Sequence, residues 1–113
     1  MSMVEVDNSI DADHNTCQLC GRTELPLTRH HLIPRSHHNK IRTQRNFSRE
    51  KMSTDIAMLC RPCHSQIHRI FDNHELANYY YTIARLQQHS DIQKFIHWIK
   101  KRPVGLKVRI KHR

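Results

Sequence analysis

The sequence is poor in hydrophobic residues, which make up only 37% of its 113 positions. A chain of this length supports one small domain that buries about two-thirds of its unfolded surface, so a bound metal would add stability that a small core lacks. No apolar run approaches the ~20 residues that span a bilayer. The N-terminus also lacks the basic region and apolar stretch of a secretory signal. We therefore expect a cytoplasmic protein that makes no membrane contact.

Acidic residues become scarce after the first 13 positions, which contain Glu5, Asp7, Asp11 and Asp13 and no Lys or Arg. The whole chain has a formal net charge of +9, and residues 14–113 carry +13. This predicts a flexible acidic tail over residues 1–15, a folded domain over 16–102 and a basic tail over 103–113. Such a charge favours binding to a polyanion, most simply nucleic acid, although a solvated basic surface would have the same composition.

Four cysteines occur as two Cys-x-x-Cys pairs, one at Cys17 and Cys20 and the other at Cys60 and Cys63. This spacing lets two thiolates reach one tetrahedral ion from a tight turn, and Gly21 is placed for that turn. Without an export signal, such pairs indicate metal binding in a reducing compartment rather than disulfides. The doubled motif predicts a structural Zn²⁺ bound by all four thiolates, with free or disulfide-bonded thiols as the alternative.

The second pair opens the segment Cys60-Arg61-Pro62-Cys63-His64-Ser65-Gln66-Ile67-His68. Pro62 suits the first position of a helix, where its missing N–H costs nothing. A helix that begins there places His64 and His68 one turn apart on one face. Two imidazoles at this spacing can ligate a single ion.

The segment between the cysteine pairs begins with a β-prone run from Leu27 to Ile33 that Pro34 ends. A second apolar run, Ile56-Ala57-Met58-Leu59, can pair with it as a hairpin. Residues 35–54 are polar and predict a long functional loop. Cations suited to phosphate contacts lie around this loop and in the C-terminal tail: Arg29, Arg35, Lys40, Arg42, Arg45, Arg49, Lys51, Lys107, Arg109 and Lys111.

Two further helices are predicted after His68. Asp72 and Asn73 can cap the first, whose apolar residues extend from Leu76 to Leu86 at helical spacing, and tyrosines in that stripe indicate core packing rather than base stacking. Ser90 and Asp91 can cap the second, which Pro103 ends. The residues from Val104 to Lys111 alternate apolar and basic, as in an edge strand or in a basic arm that orders on DNA.

Two adjacent histidines, His30 and His31, lie on the first predicted strand. Their side chains point to opposite faces of an extended strand, so they should have different roles. One of them could join His64 and His68 around an ion, while the other serves as a base near neutral pH. An accidental surface pair is the alternative in a chain with eleven histidines.

The ordered combination of these motifs resembles the HNH endonucleases of the ββα-metal class, in particular small bacterial and phage members with a four-cysteine zinc site. The likeness extends from Cys17 to His68, about half of the chain. It implies an α+β fold in which a ββα-metal core with a four-cysteine zinc knuckle is followed by two C-terminal helices and the basic tail or strand.

The resemblance also implies roles for individual residues. His30 matches a ligand of the catalytic divalent ion, and His31 matches the general base. His64 matches a further ligand, and His68 resembles the additional histidine ligand of some branches, such as the colicin nucleases. Asp55 stands where the family often has the Asn that helps to fix the loop of the base. Asp cannot donate hydrogen bonds, but it could orient an imidazole, and Asn39 or Asn46 could supply the missing amide.

The implied activity is metal-dependent hydrolysis of DNA phosphodiesters, with one catalytic ion: Zn²⁺, Ni²⁺, Mn²⁺, Co²⁺ or Mg²⁺. Three imidazoles suit the first four ions better than Mg²⁺, which prefers oxygen ligands. A non-catalytic zinc-containing module that binds nucleic acid is the alternative. DNA is the expected partner, and no small-molecule cofactor is expected. The chain is compatible with a monomer or a dimer.

Overall fold

The computed structural model describes residues 15–105 and Val108. Within these residues the chain forms two strands, six α-helices and a short 3-10 turn at Arg35–His37. The elements in chain order are β1 (Leu27–His31), α1 (Ile41–Asn46), α2 (Arg49–Thr54), β2 (Ile56–Cys60), α3 (Arg61–Ile70), α4 (Asn73–Asn78), α5 (Ile83–Gln88) and α6 (Ser90–Ile99). The predicted acidic tail before Asn15, and Lys107, Arg109 and Lys111, lie outside the described residues.

The two strands form an antiparallel sheet in which Leu27 lies opposite Cys60 and His30 lies opposite Ala57. Successive side chains of a strand point to opposite faces, so Thr28 and His30 share a face with Leu59 and Ala57. His30, Ala57 and Leu59 are all buried on this face. The predicted pairing of the two apolar runs is therefore confirmed.

Helix α3 follows β2 without a connecting loop. Cys60 is both the last residue of β2 and the N-cap of α3, and Pro62 lies in the first turn of the helix. The predicted helix is confirmed and begins one residue earlier, at Arg61. Because Cys60 of the second cysteine pair is the N-cap of α3, this pair also fixes where His64 and His68 lie.

Buried apolar side chains from α3 and the three later helices form the main core with the cysteines. Ile67 of α3, Leu76 of α4, Leu86 of α5 and Ile99 of α6 all have no exposed surface. The predicted α+β fold is confirmed, with a two-stranded sheet and a four-cysteine cluster. Three helices, rather than the predicted two, follow α3 in the described chain.

Residues 35–54 do not form the long loop that their polarity predicts. They fold into the 3-10 turn, α1 and α2 because a second small core anchors them, in which Phe47 and Met52 pack with Ile33 and Tyr81. Ser48 caps α2, with its hydroxyl accepting the Lys51 N–H at 3.0 Å. Each helix has only six residues, so these tertiary contacts and the cap contribute to its stability.

The single helix predicted from Asp72 to Leu86 is also divided. The predicted cap is present, since Asp72 and Glu75 form a reciprocal capping box. The helix then stops at Asn78, and Thr82 caps a new helix. The tyrosines between them explain the break: Tyr80 packs on Phe71 with ring centroids 4.3 Å apart, whereas Tyr81 packs on Phe47 in the second core at 4.9 Å.

The N-cap of α6 lies one residue before the predicted cap, and the helix begins at Ser90. The N-cap is His89 rather than Ser90, and its Nδ1 accepts the Asp91 N–H at 3.1 Å. His89 is half-buried against the rings of Phe71 and Tyr80, so it is a packing residue and not a free surface histidine.

The longest helices among the described residues have ten residues each. A helix needs ~20 residues to cross a bilayer, so no helix in the described part of the chain could do so.

We predict that Ile67→Ala will lower the free energy of unfolding by about 2–5 kcal/mol, because a fully buried isoleucine leaves a cavity when it is truncated. Urea unfolding followed by circular dichroism, with zinc retained, measures this change. The matched control is Ile41→Ala on α1, whose side chain is 69% exposed, and it should change the value by no more than about 0.5 kcal/mol. Equal effects of the two substitutions would contradict the placement of the core.

Candidate metal and nuclease site

Both Cys-x-x-Cys pairs meet at the join between β2 and α3. The Sγ atoms of Cys17, Cys20, Cys60 and Cys63 all lie within 4.8 Å of one another, and the four residues are buried. The Sγ atoms of Cys20 and Cys60 are 3.9 Å apart. Tetrahedral zinc with Zn–S bonds of ~2.3 Å separates its sulfurs by about 3.8 Å. The cluster therefore fits one four-coordinate metal ion.

The first knuckle has the backbone geometry of a metal-binding turn. Gly21 has a φ of 82°, a left-handed conformation that side-chain-bearing residues rarely adopt, and its N–H donates to the Cys17 carbonyl at 2.9 Å. The Cys20 N–H points to the Cys17 Sγ at 3.5 Å. The role predicted for Gly21 is confirmed.

A buried cation stands beside the four sulfurs. Arg22 donates from Nη2 to the Cys60 Sγ at 3.5 Å and from Nη1 to the Arg102 carbonyl at 3.4 Å. Burial by itself would lower the pKa of Arg22, but its interactions with Cys60 and Cys20 raise it, so the guanidinium stays charged. Four thiolates around a divalent ion such as Zn²⁺ would leave a net charge of about −2, which this guanidinium would partly neutralise.

A second cluster is formed by three histidines, one from β1 and two from α3. One nitrogen from each of His30, His64 and His68 lies within 4.8 Å of the other two. Their ring centroids form a triangle with sides of 5.1, 5.3 and 5.0 Å. The structure thus brings together the three residues that the sequence predicts as ligands of a catalytic ion.

His30 carries the strongest sign that this cluster binds a metal. Its side chain is 1% exposed, and its Nε2 has no hydrogen-bond partner among the described residues. An unpaired buried nitrogen is costly unless something else satisfies it, and a metal ion would do so. Desolvation, with the nearby His64 and His68, lowers the pKa of His30 to about 3. The imidazole is therefore neutral at physiological pH, the form that binds metals.

His64 is anchored from its other side. Its Nδ1 lies 2.8 Å from the Oγ1 of Thr28, and the same hydroxyl contacts the Leu59 carbonyl at 3.0 Å. Burial, followed by the neighbouring His68, lowers the pKa of His64. This imidazole is also neutral near pH 7.

His31 is half-buried at the end of β1, beside His30 of the three-histidine cluster. Burial, followed by the positive charges of Arg35, His38 and Arg29, lowers its pKa, so the ring is neutral near pH 7. The His38 ring lies 6.1 Å away, centroid to centroid, and its Nε2 donates to the Ile33 carbonyl at 2.7 Å. A neutral imidazole in this position can accept a proton.

The four predicted site histidines line one open cleft of about 230 Å³. The other residues of its lining are Arg29, Pro34, Arg35, Ser36 and Asn73. A larger hollow of about 380 Å³, which includes Arg69, Lys94 and Trp98, lies between α3 and α6, but no candidate metal cluster among the described residues belongs to it. The candidate site is therefore identified by its cluster of histidines and not by the size of the cavity.

Asp55 is tied to the same strand through its backbone. Its carbonyl accepts the Leu32 N–H at 3.0 Å, one residue beyond His31. Its carboxylate lies 2.7 Å from the Lys51 ammonium and does not belong to the described cleft lining. The catalytic role predicted for Asp55 therefore stays a prediction, and its observed contacts are those of a residue that fixes the end of β1.

The predicted phosphate-binding cations divide into two groups. Arg29 and Arg35 line the cleft itself. The others among the described residues are exposed on the segment between the strands, outside the cleft lining: Lys40, Arg42, Arg45, Arg49 and Lys51. Lys40 is the N-cap of α1, and the other four cations lie within α1 and α2, so they occupy a folded surface rather than a loop.

Sequence reasoning missed two residues that support the site, Arg22 and Thr28. Thr28 precedes His30 by two positions, so the alternation of the strand already placed both on one face. Arg22 directly follows the first knuckle, but nothing in the local pattern shows that a neighbouring cation will turn toward the sulfurs.

Comparison with known proteins agrees with this geometry. The family model of the HNH endonuclease matches residues 17–69. The chain is 37% identical over 87 residues to an uncharacterized protein, YisB, of Bacillus subtilis (strain 168). The aligned region covers 77% of this chain and 75% of that protein. No solved structure matches the chain. The chain belongs to the HNH endonuclease family, as its motifs predict.

We predict that Arg22→Gln will weaken zinc binding about 10–100-fold, because residues that contact metal ligands typically have effects of this size. Competition with a chromophoric chelator measures the affinity. Arg45→Gln, which removes an exposed arginine of α1, is the matched control and should leave zinc affinity unchanged. Unchanged affinity in Arg22→Gln would show that the guanidinium does not support the four-cysteine site.

Proposed function

We propose that this protein is a metal-dependent endonuclease that hydrolyses DNA phosphodiester bonds with one catalytic ion and a histidine general base. The main support for this proposal is that four histidines line one cleft. Three of them hold ligand nitrogens within 4.8 Å of one another, and the fourth, His31, lines the same cleft. Membership of the HNH endonuclease family supports this reading.

The catalytic ion would be held by His30, His64 and His68. The unpaired, buried Nε2 of His30 fits this role. Three neutral imidazoles favour Zn²⁺, Ni²⁺, Mn²⁺ or Co²⁺ over Mg²⁺. When bound, such an ion neutralises the phosphate and the departing oxygen, which lowers the barrier by several kcal/mol.

In the proposed reaction, His31 removes a proton from a water molecule as the water oxygen attacks phosphorus. The new phosphorus–oxygen bond forms in line with the bond from phosphorus to the 3′ oxygen. That bond breaks, and the 3′ oxygen leaves with the electron pair. His31 then holds the proton on an imidazole nitrogen. Its half-buried position beside the ligand cluster keeps the ring neutral beforehand and leaves it open to water.

The surrounding cations would hold the DNA. Arg29 and Arg35 line the cleft, so their guanidinium groups can contact the phosphates that flank the scissile bond. The exposed cations of α1 and α2 extend this positive surface. Such contacts position the backbone and carry no sequence information.

We predict that His31→Ala will reduce cleavage of supercoiled plasmid by about 100 to 10,000-fold, the usual contribution of a general base. The assay adds Mg²⁺, Mn²⁺, Ni²⁺ or Zn²⁺ to protein from which EDTA has removed the catalytic ion, and zinc content is measured in parallel. His97→Ala, on an exposed position of α6, is the matched control and should retain activity and zinc.

Retained cleavage by His31→Ala would remove the proposed base. No cleavage by the wild-type protein with any of these ions, despite a full zinc site and tight DNA binding, would instead favour the non-catalytic zinc module.

We propose that Asp55 positions the end of β1, because its backbone carbonyl accepts a hydrogen bond from the Leu32 N–H. Asp55→Asn preserves this bond and supplies the amide that the family often has, so it should keep cleavage within about 10-fold of the wild type. Initial rates in the plasmid assay measure the effect. A loss as large as that of His31→Ala would show that the carboxylate itself takes part in the reaction.

A further inference from the structure

Thr28 links the strand of the site to its helix. It lies on β1 two residues before His30, on the same face of the sheet. Its Oγ1 is 2.8 Å from the Nδ1 of His64 on α3 and 3.0 Å from the carbonyl oxygen of Leu59 on β2. The hydroxyl of this β1 residue thus contacts both β2 and α3, the helix that carries two of the three histidines of the cluster.

The positions of the protons follow from these two contacts. A threonine hydroxyl has one proton and can also accept hydrogen bonds, whereas a carbonyl oxygen can only accept. The hydroxyl proton must therefore lie toward Leu59, since two oxygens 3.0 Å apart without a proton between them would repel. The remaining contact requires His64 to donate from Nδ1 to the Thr28 oxygen.

This assignment decides which nitrogen of His64 can bind an ion. A neutral imidazole carries its proton on one nitrogen only, so a proton on Nδ1 leaves the Nε2 lone pair free. The opposite tautomer would direct an N–H group toward the other two histidines, where it would block a ligand position.

We propose that Thr28 is a positioning residue that holds His64 in its Nδ1–H tautomer and so presents Nε2 to the three-histidine cluster. The inference rests on the metal site of the proposed function, but it requires no particular substrate or reaction. A partner of this kind fixes both the tautomer and the orientation of a ligand ring, and its loss typically weakens metal binding about 10–100-fold.

Two substitutions separate this role from simple packing. Thr28→Val keeps the β-branched shape that suits a strand but cannot accept a hydrogen bond from His64. Thr28→Ser loses a methyl group and keeps the hydroxyl. If packing were the only role of Thr28, Val would be the better replacement. If the hydroxyl directs His64, Ser will be.

The test uses the full chain with zinc in its four-cysteine site and Ni²⁺ as the probe for the histidines. Nitrogen-15 NMR of the histidine side chains, without Ni²⁺, reports the tautomer of His64. Isothermal titration with Ni²⁺ reports affinity, and His64→Ala defines the signal that belongs to this cluster. Thr43→Val, which alters a buried threonine of α1 outside the cleft lining, is the matched control.

We expect the wild type to show the Nδ1–H tautomer, Thr28→Val to lose it and to bind Ni²⁺ about 10–100-fold more weakly, and Thr28→Ser to stay within a few-fold of the wild type. An Nε2–H tautomer in the wild type would overturn the inference, even if Thr28→Val failed to fold. Unchanged Ni²⁺ affinity and an unchanged His64 tautomer in Thr28→Val would overturn the inference about Thr28 but would not affect the proposed nuclease function. Ni²⁺ binding that is the same in the wild type and in His64→Ala would remove the three-histidine site, and with it both proposals.

Discussion

The antiparallel register between β1 and β2 is the constraint on which the site depends. Because His30 lies opposite Ala57, the imidazole shares the buried face of the sheet with a small side chain. The same register places Leu27 opposite Cys60, the residue that ends β2 and caps α3. A slip by one residue would turn His30 to the other face and separate it from the helix. The pairing of five residues on each strand thus joins the four-cysteine cluster to the histidine cluster.

The two candidate metal-binding clusters have different chemical environments. The four sulfurs are buried beneath the helices and are accompanied by the guanidinium of Arg22, which suits a closed structural site. The three histidines face an open cleft, where only His30 is fully buried. An ion bound there would keep coordination positions for water or phosphate, as catalytic ions do. One short ββα unit therefore carries both a closed cysteine cluster and an open histidine cluster.

Much of this site could be predicted because its signals are local. The spacing of Cys60, Cys63, His64 and His68 depends only on a turn and a helix that begins at a known place. The structure places the two cysteines in one cluster and the two histidines in the other, as the spacing predicts. The segment between the strands could not be predicted in the same way. Phe47 and Met52 are buried by Ile33 and Tyr81, residues distant in sequence, so their role in forming α1 and α2 is invisible to a local pattern. The break after α4 has the same cause, since Tyr80 and Tyr81 pack on different parts of the molecule.

We propose that the chain binds two ions through chemically distinct ligand sets. X-ray absorption at the zinc and nickel edges, on protein loaded with one equivalent of each metal, can distinguish the two sets. We expect zinc to be surrounded by four sulfurs at ~2.3 Å and nickel by imidazole nitrogen and oxygen without sulfur. Nickel bound by sulfur, or zinc bound by a mixture of cysteine and histidine, would contradict the separation of the two sites.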